Sequence, residues 1–418
     1  MDLNSYNKEL EKIFSMSPSY QVVGDRAYKP GLEAMEAFDR HLGYPSRSLR
    51  AVHVAGTNGK GSVSHFMASV FASCGYRTAL YTSPHLIDFR ERAKICEGEG
   101  FEMIPREFVY DFVRKEESYI VEHRLSFFEI TTGLAFSWFA GEKCDIAVIE
   151  VGLGGLMDST NIITPILSVI TNIALDHCMY LGHTLAEIAV QKAGIIKDGI
   201  PVVVGEYLDE TRPVFEKTAA LHGSELHFAQ DEEPAAHSLE GFELQGDYER
   251  NNLRTVRCAL EVLSSLGFVF SHAKTVDALK HAASRTGLRG RWEVLKESGP
   301  RVICDAGHNP NGLSYVMPQL CREGVDIIVF GVVKDRDLEG EKEMFPREAY
   351  YFFANAKGPR AMPCGELCEK LTAAGLRGEA AGSVESAVKK ALGKASESST
   401  VFIGGSCYVV AEALELVY

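Results

Sequence analysis

Short apolar runs alternate with stretches of helical periodicity along most of the chain. Unbroken runs of Val, Ile and Ala are typical of parallel strands that are covered on both faces. Strands that alternate with helices in this way predict an α/β fold with a doubly wound sheet. In the first part of the chain the predicted strands are residues 51–56, 77–83, 145–152, 166–174 and 201–206, with helices over 62–75 and 185–194.

A second series of strands begins near Gly290 and predicts a smaller, Rossmann-like α/β domain. The glycine-rich stretch TGLRGR at 286–291 is typical of a hinge. We therefore expect one domain over residues 1–288 and a second over 289–418. The predicted strands of the second domain are residues 291–297, 301–307, 326–333, 349–355 and 400–405.

Composition limits the class of protein. The 418 residues carry 43 basic and 57 acidic side chains, so the net charge is 43 − 57 = −14. This balance argues against general binding to nucleic acid or to anionic membranes, because both need a surface that neutralises phosphate. The ten cysteines show no CxxC spacing, the N-terminus lacks a signal-peptide pattern, and the longest apolar stretch, 162–175, is shorter than the ~18 residues of a membrane span. We expect a cytoplasmic protein with reduced thiols.

The most informative segment is a glycine-rich turn that leaves a predicted strand and enters a predicted helix. Such a turn directs backbone N–H groups and a helix N-terminus at phosphate oxygens, with a lysine for the outer phosphates and a hydroxyl for Mg²⁺. The standard P-loop needs a glycine where this chain has Val54, so the loop is a shortened form; the alternative is a connection without a ligand. The predicted nucleotide-binding residues are Gly56, Thr57, Asn58, Gly59, Lys60, Gly61 and Ser62.

The segment HVAGTNGKGS at 53–62 resembles the ATP loop of the Mur ligase superfamily, and more closely that of its folylpolyglutamate synthase and dihydrofolate synthase branch. Further blocks resemble the same family in the same order along most of the chain. The resemblance implies a P-loop-type ATPase domain followed by a ligase domain. These blocks are TSPHL (82–86), EVGLGG (150–155), DSTN (158–161), LDH (175–177), QKAGIIK (191–197), DAGHNP (305–310), GVVKDRD (331–337) and GSCYVV (406–410).

Two polar residues at predicted strand ends are candidate metal ligands. Glu150 ends the apolar run DIAVIE, where a carboxylate needs a partner or a cation, although backbone donors alone are the alternative. His177 follows another strand, and a lone histidine is more often structural; its place in a matching block favours a ligand. The resemblance implies two Mg²⁺ ions, one held by Ser62 and Glu150 and the other by Glu150, His177 and Lys192.

Lys192 shares one helical face with Leu185, Ile188 and Ala189. A lysine on an apolar face must extend to solvent, find a partner or lose its charge. In related ligases this lysine is carbamylated, and the resemblance implies the same of Lys192; a lysine that only extends to solvent is the alternative. The resemblance also implies that Lys60, Lys192 and His177 are the catalytic residues.

Substrate residues are inferred from the resemblance as well. Ser83, Pro84, His85 and Phe128 match blocks beside the pterin or folate site, and an aromatic ring suits a flat heteroaromatic substrate. A core role is the alternative for Phe128. Nucleotide contacts are further implied for Asn252, Arg291, Asp305 and His308. The chain departs from the family pattern at Leu156, usually arginine, and at Glu249, usually glutamine.

These features predict an ATP-dependent ligase that adds L-glutamate to dihydropteroate, to reduced folates, or to both through an acyl phosphate. We expect the folate-binding and ATP-binding groups in residues 1–288, the glutamate side in 289–418, and a monomer without nucleic-acid or membrane partners. One alternative is another Mur-type ligase that acts on a cell-wall precursor or another carboxylate. A nucleotide-binding regulatory protein with a decayed site is a second alternative.

Overall fold

The computed structural model describes residues 3–17, 31–233, 238–334, 336 and 338–416. The chain divides by its packing into two compact units. The first unit comprises Met1–Phe242 and Arg250–Leu288, and the second comprises Glu243–Glu249 and Arg289–Tyr418. One short segment within residues 1–288 therefore packs with the second unit.

The first unit is built on an eight-stranded sheet with the order β4-β3-β2-β5-β1-β6-β7-β8. Its strands pair in parallel, except that β3 and β4 form an antiparallel hairpin beside β2. The central strands are buried at every position, as parallel strands covered on both faces must be. The strands are β1 (Ala51–Ala55), β2 (Thr78–Tyr81), β3 (Ala93–Glu97), β4 (Gly100–Met103), β5 (Ile146–Glu150), β6 (Leu167–Ile170), β7 (Val202–Val204) and β8 (Leu226–Phe228).

Helices cover both faces of this sheet. The helix that follows β1 is buried without interruption from Ser62 to Ala72, because it packs against the sheet on one side and against two later helices on the other. The helices of this part of the chain are α1 (Leu3–Met16), α2 (Glu33–His41), α3 (Lys60–Ser73), α4 (Arg106–His123), α5 (Phe127–Glu142), α6 (Cys178–Leu181), α7 (Leu185–Ala193), α8 (Arg212–Leu221), α9 (Glu249–Ser265), α10 (His272–Lys280) and α11 (Ala282–Thr286).

The second unit has a six-stranded sheet with the order β13-β12-β11-β14-β10-β9, parallel except for β9. Its strands are β9 (Glu293–Lys296), β10 (Arg301–Asp305), β11 (Ile327–Phe330), β12 (Tyr350–Asn355), β13 (Arg377–Ser383) and β14 (Thr400–Gly404). Its helices are α12 (Pro310–Arg322), α13 (Cys364–Ala373), α14 (Val384–Lys394) and α15 (Cys407–Leu416).

The structure confirms the expected α/β fold with a mostly parallel, doubly wound sheet and a second, smaller α/β sheet. Each predicted strand is present, with shorter bounds. Sequence reasoning missed the edge strands β4, β8 and β13 and also β3, because these strands are short or carry charged and glycine residues. Among the described residues, no helix combines the length and apolar character that crossing a bilayer requires.

Two glycines of α5 provide a matched test of its packing. A Cβ at Gly133 would lie 2.4 Å from the Phe38 ring, whereas a Cβ at Gly141 meets nothing within 4 Å. We expect Gly133→Ala to lower the free energy of unfolding by about 1–3 kcal/mol through overpacking. Gly141→Ala should raise it by about 0.5–1 kcal/mol through helix propensity. Urea unfolding measures both, and equal effects of the two variants would contradict this packing.

Candidate active site

The glycine-rich turn lies between β1 and α3, where its glycines are required by backbone conformation and by space. Gly59 adopts φ +81° as the residue that precedes α3, a conformation that favours glycine. A Cβ there would lie 2.2 Å from Asn252 Oδ1. A Cβ at Gly56, which has φ +148°, would lie 1.8 Å from Thr171 Oγ1. The loop therefore packs closely against the segment after β6 and against the first turn of α9.

Hydrogen bonds to the segment after β6 fix the shape of this loop. The backbone N–H groups of Thr57 and Asn58 donate to the carbonyl and the side-chain oxygen of Asn172, each at 2.9 Å. The Thr171 hydroxyl donates to the Asn58 carbonyl at 2.5 Å. The N–H groups of Thr57 and Asn58 therefore hold the loop in place. The N–H groups in the first turn of α3, which follows the loop, have no partners within the helix. Sequence reasoning missed Thr171 and Asn172, although a polar pair after an apolar strand is a signal.

Two lysine ammonium groups meet on one carbonyl of the loop. Lys60 Nζ donates to the Gly56 carbonyl at 3.0 Å and to the Thr57 carbonyl at 3.1 Å. Lys192 Nζ donates to the same Gly56 carbonyl at 2.9 Å. Burial, and then the positive charge of Lys60, lower the pKa of Lys192 to about 7. The predicted apolar face of α7 is confirmed, since Ile188, Ala189 and Lys192 are all buried.

Glu150 and the TSPHL block meet where the neighbouring strands β5 and β2 end. β2 and β5 pair in parallel, so the residues after them emerge side by side. Glu150 is buried at the end of β5, and its Oε2 accepts a hydrogen bond from the Ser83 N–H at 3.1 Å. Phe128 is partly buried, and its ring lies 2.4 Å from where a Cβ on Gly152 would be. The structure therefore brings the predicted folate residues Ser83 and Phe128 to the loop that carries Glu150.

A buried carboxylate shapes that same loop. Asp158 Oδ2 accepts from the Leu153 N–H at 2.8 Å, and its Oδ1 accepts from the Thr160 N–H and hydroxyl at 3.0 and 2.5 Å. The Thr160 hydroxyl lies 2.8 Å from Nε2 of His53, whose pKa burial lowers to about 3. Asp158 is a positioning residue that sequence reasoning did not single out, although it belongs to the DSTN block.

His85 is held as a neutral hydrogen-bond acceptor by a residue that sequence reasoning missed. Arg92 is buried, and its Nε donates to His85 Nδ1 at 2.8 Å. Burial, and then the Arg92 charge, lower the pKa of His85 to about 3. The ring proton therefore stays on Nε2. Pro84 is exposed in the same loop.

His177 lies at the start of α6 with φ +49°. Its N–H donates to Asp176 Oδ1 at 2.8 Å, and its Nε2 lies 3.7 Å from the same oxygen. Among the described residues, no three His, Cys, Asp or Glu side chains form a group that could hold a metal ion. Glu150 and the Ser62 hydroxyl offer the oxygen ligands that Mg²⁺ prefers, but the second predicted set holds a single anion, Glu150, unless Lys192 is modified.

In the second unit, Asp305 organises the loop that follows β10. Its Oδ2 accepts from the Tyr248 hydroxyl at 2.5 Å and from the Trp292 N–H at 2.8 Å, and its Oδ1 accepts from the Gly307 N–H at 2.7 Å. Arg291 donates to the Gly290 carbonyl at 3.1 Å. His308 is exposed. These contacts stabilise the loop itself. The nucleotide contacts predicted for Arg291, Asp305 and His308 stay predictions.

The two departures from the family pattern have different surroundings. Leu156 is 37% exposed, and its Cβ lies 2.4 Å from where a Cβ on Gly194 would be. Glu249 is fully buried at the start of α9, three residues before Asn252. Of the block at 331–337, residues 335 and 337 lie outside the described part of the chain.

The lowered pKa of Lys192 predicts a pH-dependent stability. Between pH 7 and the unfolded value of 10.5 the unfolded chain binds more protons at this position, so the free energy of unfolding rises with pH. In bicarbonate-free buffer, Lys192→Met should reduce the gain in stability from pH 7 to pH 9 by roughly 2 kcal/mol. Urea unfolding at both pH values measures this gain. The exposed Lys217→Met variant serves as the control, and parallel profiles for all three proteins would contradict the burial of a titrating amine.

Comparison with known proteins gives a family for this chain. Residues 54–262 match the Mur ligase middle domain, and residues 290–407 match the glutamate ligase domain of Mur ligases. A dihydrofolate synthase/folylpolyglutamate synthase of Bacillus subtilis is 34% identical over 81% of this chain and 84% of its own length.

Two solved structures show the same fold. E. coli FolC in complex with DHPP and ADP has a TM-score of 0.82 and 26% identity, with 99% of this chain and 97% of that chain covered. A bifunctional folylpolyglutamate synthase/dihydrofolate synthase with Mn, AMPPNP and L-glutamate bound has a TM-score of 0.79 and 27% identity, with 93% and 95% covered. With its glycine turn, its paired lysines and both domain matches, this chain belongs to the folylpolyglutamate synthase and dihydrofolate synthase family of Mur ligases.

Proposed function

We propose that this protein is a bifunctional ATP-dependent ligase that adds L-glutamate to dihydropteroate and to reduced folates. The observation that carries the proposal is the meeting of Lys60 and Lys192 on the Gly56 carbonyl, at the N-terminus of a buried helix. Two cations and a helix N-terminus form a site for a polyphosphate. The named relatives supply the substrate class.

The reaction needs an activated acid because a free carboxylate has no usable leaving group. ATP transfers its γ-phosphoryl group to the carboxylate, which gives an acyl phosphate and ADP. The amino group of glutamate then attacks the acyl carbon, an amide bond forms, and inorganic phosphate leaves as the amine loses a proton. Catalysis of phosphoryl transfer is mostly positioning and neutralisation of charge.

The glycine turn and Lys60 serve the phosphates. In the structure Lys60 Nζ donates to two carbonyls of its own loop, which places its charge over the turn. A triphosphate would offer this ammonium group stronger, charged acceptors in place of neutral carbonyls. The anchored N–H groups of Thr57 and Asn58 keep the turn in shape, and the first turn of α3 presents its N–H groups to the phosphates.

A relative with bound Mn supports a divalent cation beside the nucleotide. We assign Mg²⁺ to two positions, one held by Ser62 and Glu150, the other by Glu150, His177 and carbamylated Lys192. When bound, these ions would neutralise charge on the transferred phosphoryl group. The Ser83 N–H that donates to Glu150 orients its carboxylate.

Carbamylation suits Lys192 because a neutral amine is the form that attacks carbon dioxide. The neutral nitrogen forms a bond to the carbon as the electrons of one C–O π bond move to oxygen, one proton leaves, and the neutral amine becomes a carbamate anion. A pKa of about 7 leaves a substantial fraction of this amine neutral at neutral pH. Burial shields the product from water.

The folate side is assigned to Ser83, Pro84, His85 and Phe128. Phe128 presents a partly buried ring beside the loop that follows Glu150, where a flat heteroaromatic ring can stack. Neutral His85 offers an N–H donor at Nε2 because Arg92 occupies Nδ1. Asn252, Arg291, Asp305 and His308 are assigned to the nucleotide by resemblance. We further propose that the protein is a monomer in the cytoplasm without nucleic-acid or membrane partners.

Labelling with bicarbonate tests the modification of Lys192. Carbon-13 NMR of the protein in carbon-13 bicarbonate should show a carbamate signal that Lys192→Met removes and Lys217→Met retains, because burial lowers the pKa of Lys192 to about 7 and leaves a substantial fraction of that amine neutral. A wild-type spectrum without that signal at high bicarbonate would rule out the carbamate.

Turnover tests the function itself. Phosphate release from ATP in the presence of glutamate should depend on dihydropteroate and, separately, on tetrahydrofolate. Lys60→Ala should reduce kcat at least about 100-fold by removing charge stabilisation, with unchanged circular dichroism. Lys217→Ala, on the exposed face of α8, is the matched control and should keep full activity. Release with a cell-wall precursor alone would replace the proposed function with the other Mur-type reaction.

A further inference from the structure

Arg92 is a buried cation of the first unit, beside the loop that carries the TSPHL block. The residue is 5% exposed and lies directly before β3. Because β2 and β3 pair in antiparallel fashion, the Arg92 carbonyl accepts a hydrogen bond from the Thr82 N–H at 3.0 Å. Thr82 precedes Ser83, whose N–H donates to Glu150. Arg92 therefore lies next to the strand ends where the candidate folate and metal residues meet.

The guanidinium group of Arg92 has few partners. Its Nε donates to His85 Nδ1 at 2.8 Å, and its Cζ lies 5.1 Å from the centre of the Phe127 ring. Among the described residues, no carboxylate lies within 4.0 Å of this group, and none accepts a hydrogen bond from Nη1 or Nη2. A buried arginine is normally paired, because an isolated charge is costly to remove from water. The two terminal nitrogens are therefore donors that a ligand can use.

The acidic groups nearest to Arg92 serve other partners. Glu91 accepts hydrogen bonds from three backbone N–H groups, those of residues 86–88. Glu150 accepts from the Ser83 N–H and is the proposed metal ligand. Burial lowers the pKa of Arg92, whereas nearby acidic groups, Glu150 among them, raise it. Arginine keeps its proton in proteins, so this site holds a positive charge without an ion-pair partner.

We propose that Arg92 binds the carboxylate of the acid substrate through Nη1 and Nη2. The proposal rests on the proposed function, in which a carboxylate must be held for phosphorylation. A guanidinium group suits this task because its planar fork can donate two parallel hydrogen bonds to one carboxylate. Arg92 contacts His85, which is assigned to the folate, and lies within electrostatic range of Glu150, which is assigned to Mg²⁺. The acid supplies the anionic partner that Arg92 lacks.

Equilibrium binding tests this assignment without turnover. Isothermal titration calorimetry with ADP present compares dihydropteroate with its carboxamide, which has the same rings and no charge. Wild-type protein should bind the acid at least about tenfold more tightly, because hydrogen bonds between charged groups are stronger. Arg92→Gln removes the charge but carries an N–H donor for His85. This variant should lose the preference for the acid and bind the carboxamide within about twofold of wild type.

Two further variants serve as controls. Lys94→Met removes a second buried cation two residues away, whose Nζ donates to the Thr286 and Gly287 carbonyls at 2.9 and 3.0 Å. This change should lower the thermal stability and keep the preference for the acid. Arg92→Lys keeps a charge without the fork, so it should retain a smaller preference for the acid; this variant also decides the question if Arg92→Gln does not fold.

The possible outcomes separate this proposal from the proposed function. Equal affinities of the wild-type protein for acid and carboxamide overturn the role of Arg92 and leave the ligase function standing. An equal loss of affinity for both compounds in Arg92→Gln makes Arg92 a structural residue and also overturns the proposal. A wild-type protein that binds neither compound overturns the proposed function, and the assignment of Arg92 with it.

Discussion

The shared Gly56 carbonyl is the contact on which the site depends. Two ammonium groups on one carbonyl repel each other, and the fold keeps them together because the loop is fastened to Asn172 and one face of α7 is packed in the core. Burial, and then the positive charge of Lys60, lower the pKa of Lys192. An anion that enters the turn relieves the repulsion, so the fold is prepared for a polyphosphate.

Buried carboxylates have two different roles in this protein. Asp158 accepts hydrogen bonds from the Leu153 and Thr160 N–H groups of its own loop, whereas Asp305 accepts from the Gly307 N–H of its own loop and from the Trp292 N–H before β9. Such carboxylates fix the shape of a loop, and mutation of either would leave several donors unsatisfied. Glu150 instead accepts one hydrogen bond, from the N–H of Ser83 in the loop after β2. It lies at the carboxyl ends of the strands, where parallel sheets bind ligands. The hydrogen-bond partners of each buried carboxylate therefore distinguish a structural residue from a candidate metal ligand.

Patterns between neighbouring residues were enough to predict the fold class and the phosphate-binding loop. Unbroken apolar runs can be satisfied only by strands covered on both faces, and the glycine turn between β1 and α3 has few uses other than holding an anion. Helical periodicity placed Lys192 on the apolar face of α7 but left open whether its ammonium group extends to solvent. These features are local, because each depends on residues close together in the chain.

Only the tertiary structure showed which distant groups meet. The anchoring of the loop by Thr171 and Asn172, the contact of Arg92 with His85, and the grip of Tyr248 on Asp305 join residues that the sequence separates, and no spacing rule indicates them. The short hairpin of β3 and β4 was likewise decided by pairing with β2. Periodicity reports which face of an element is buried, but the partner on that face is chosen by the packing of the whole chain.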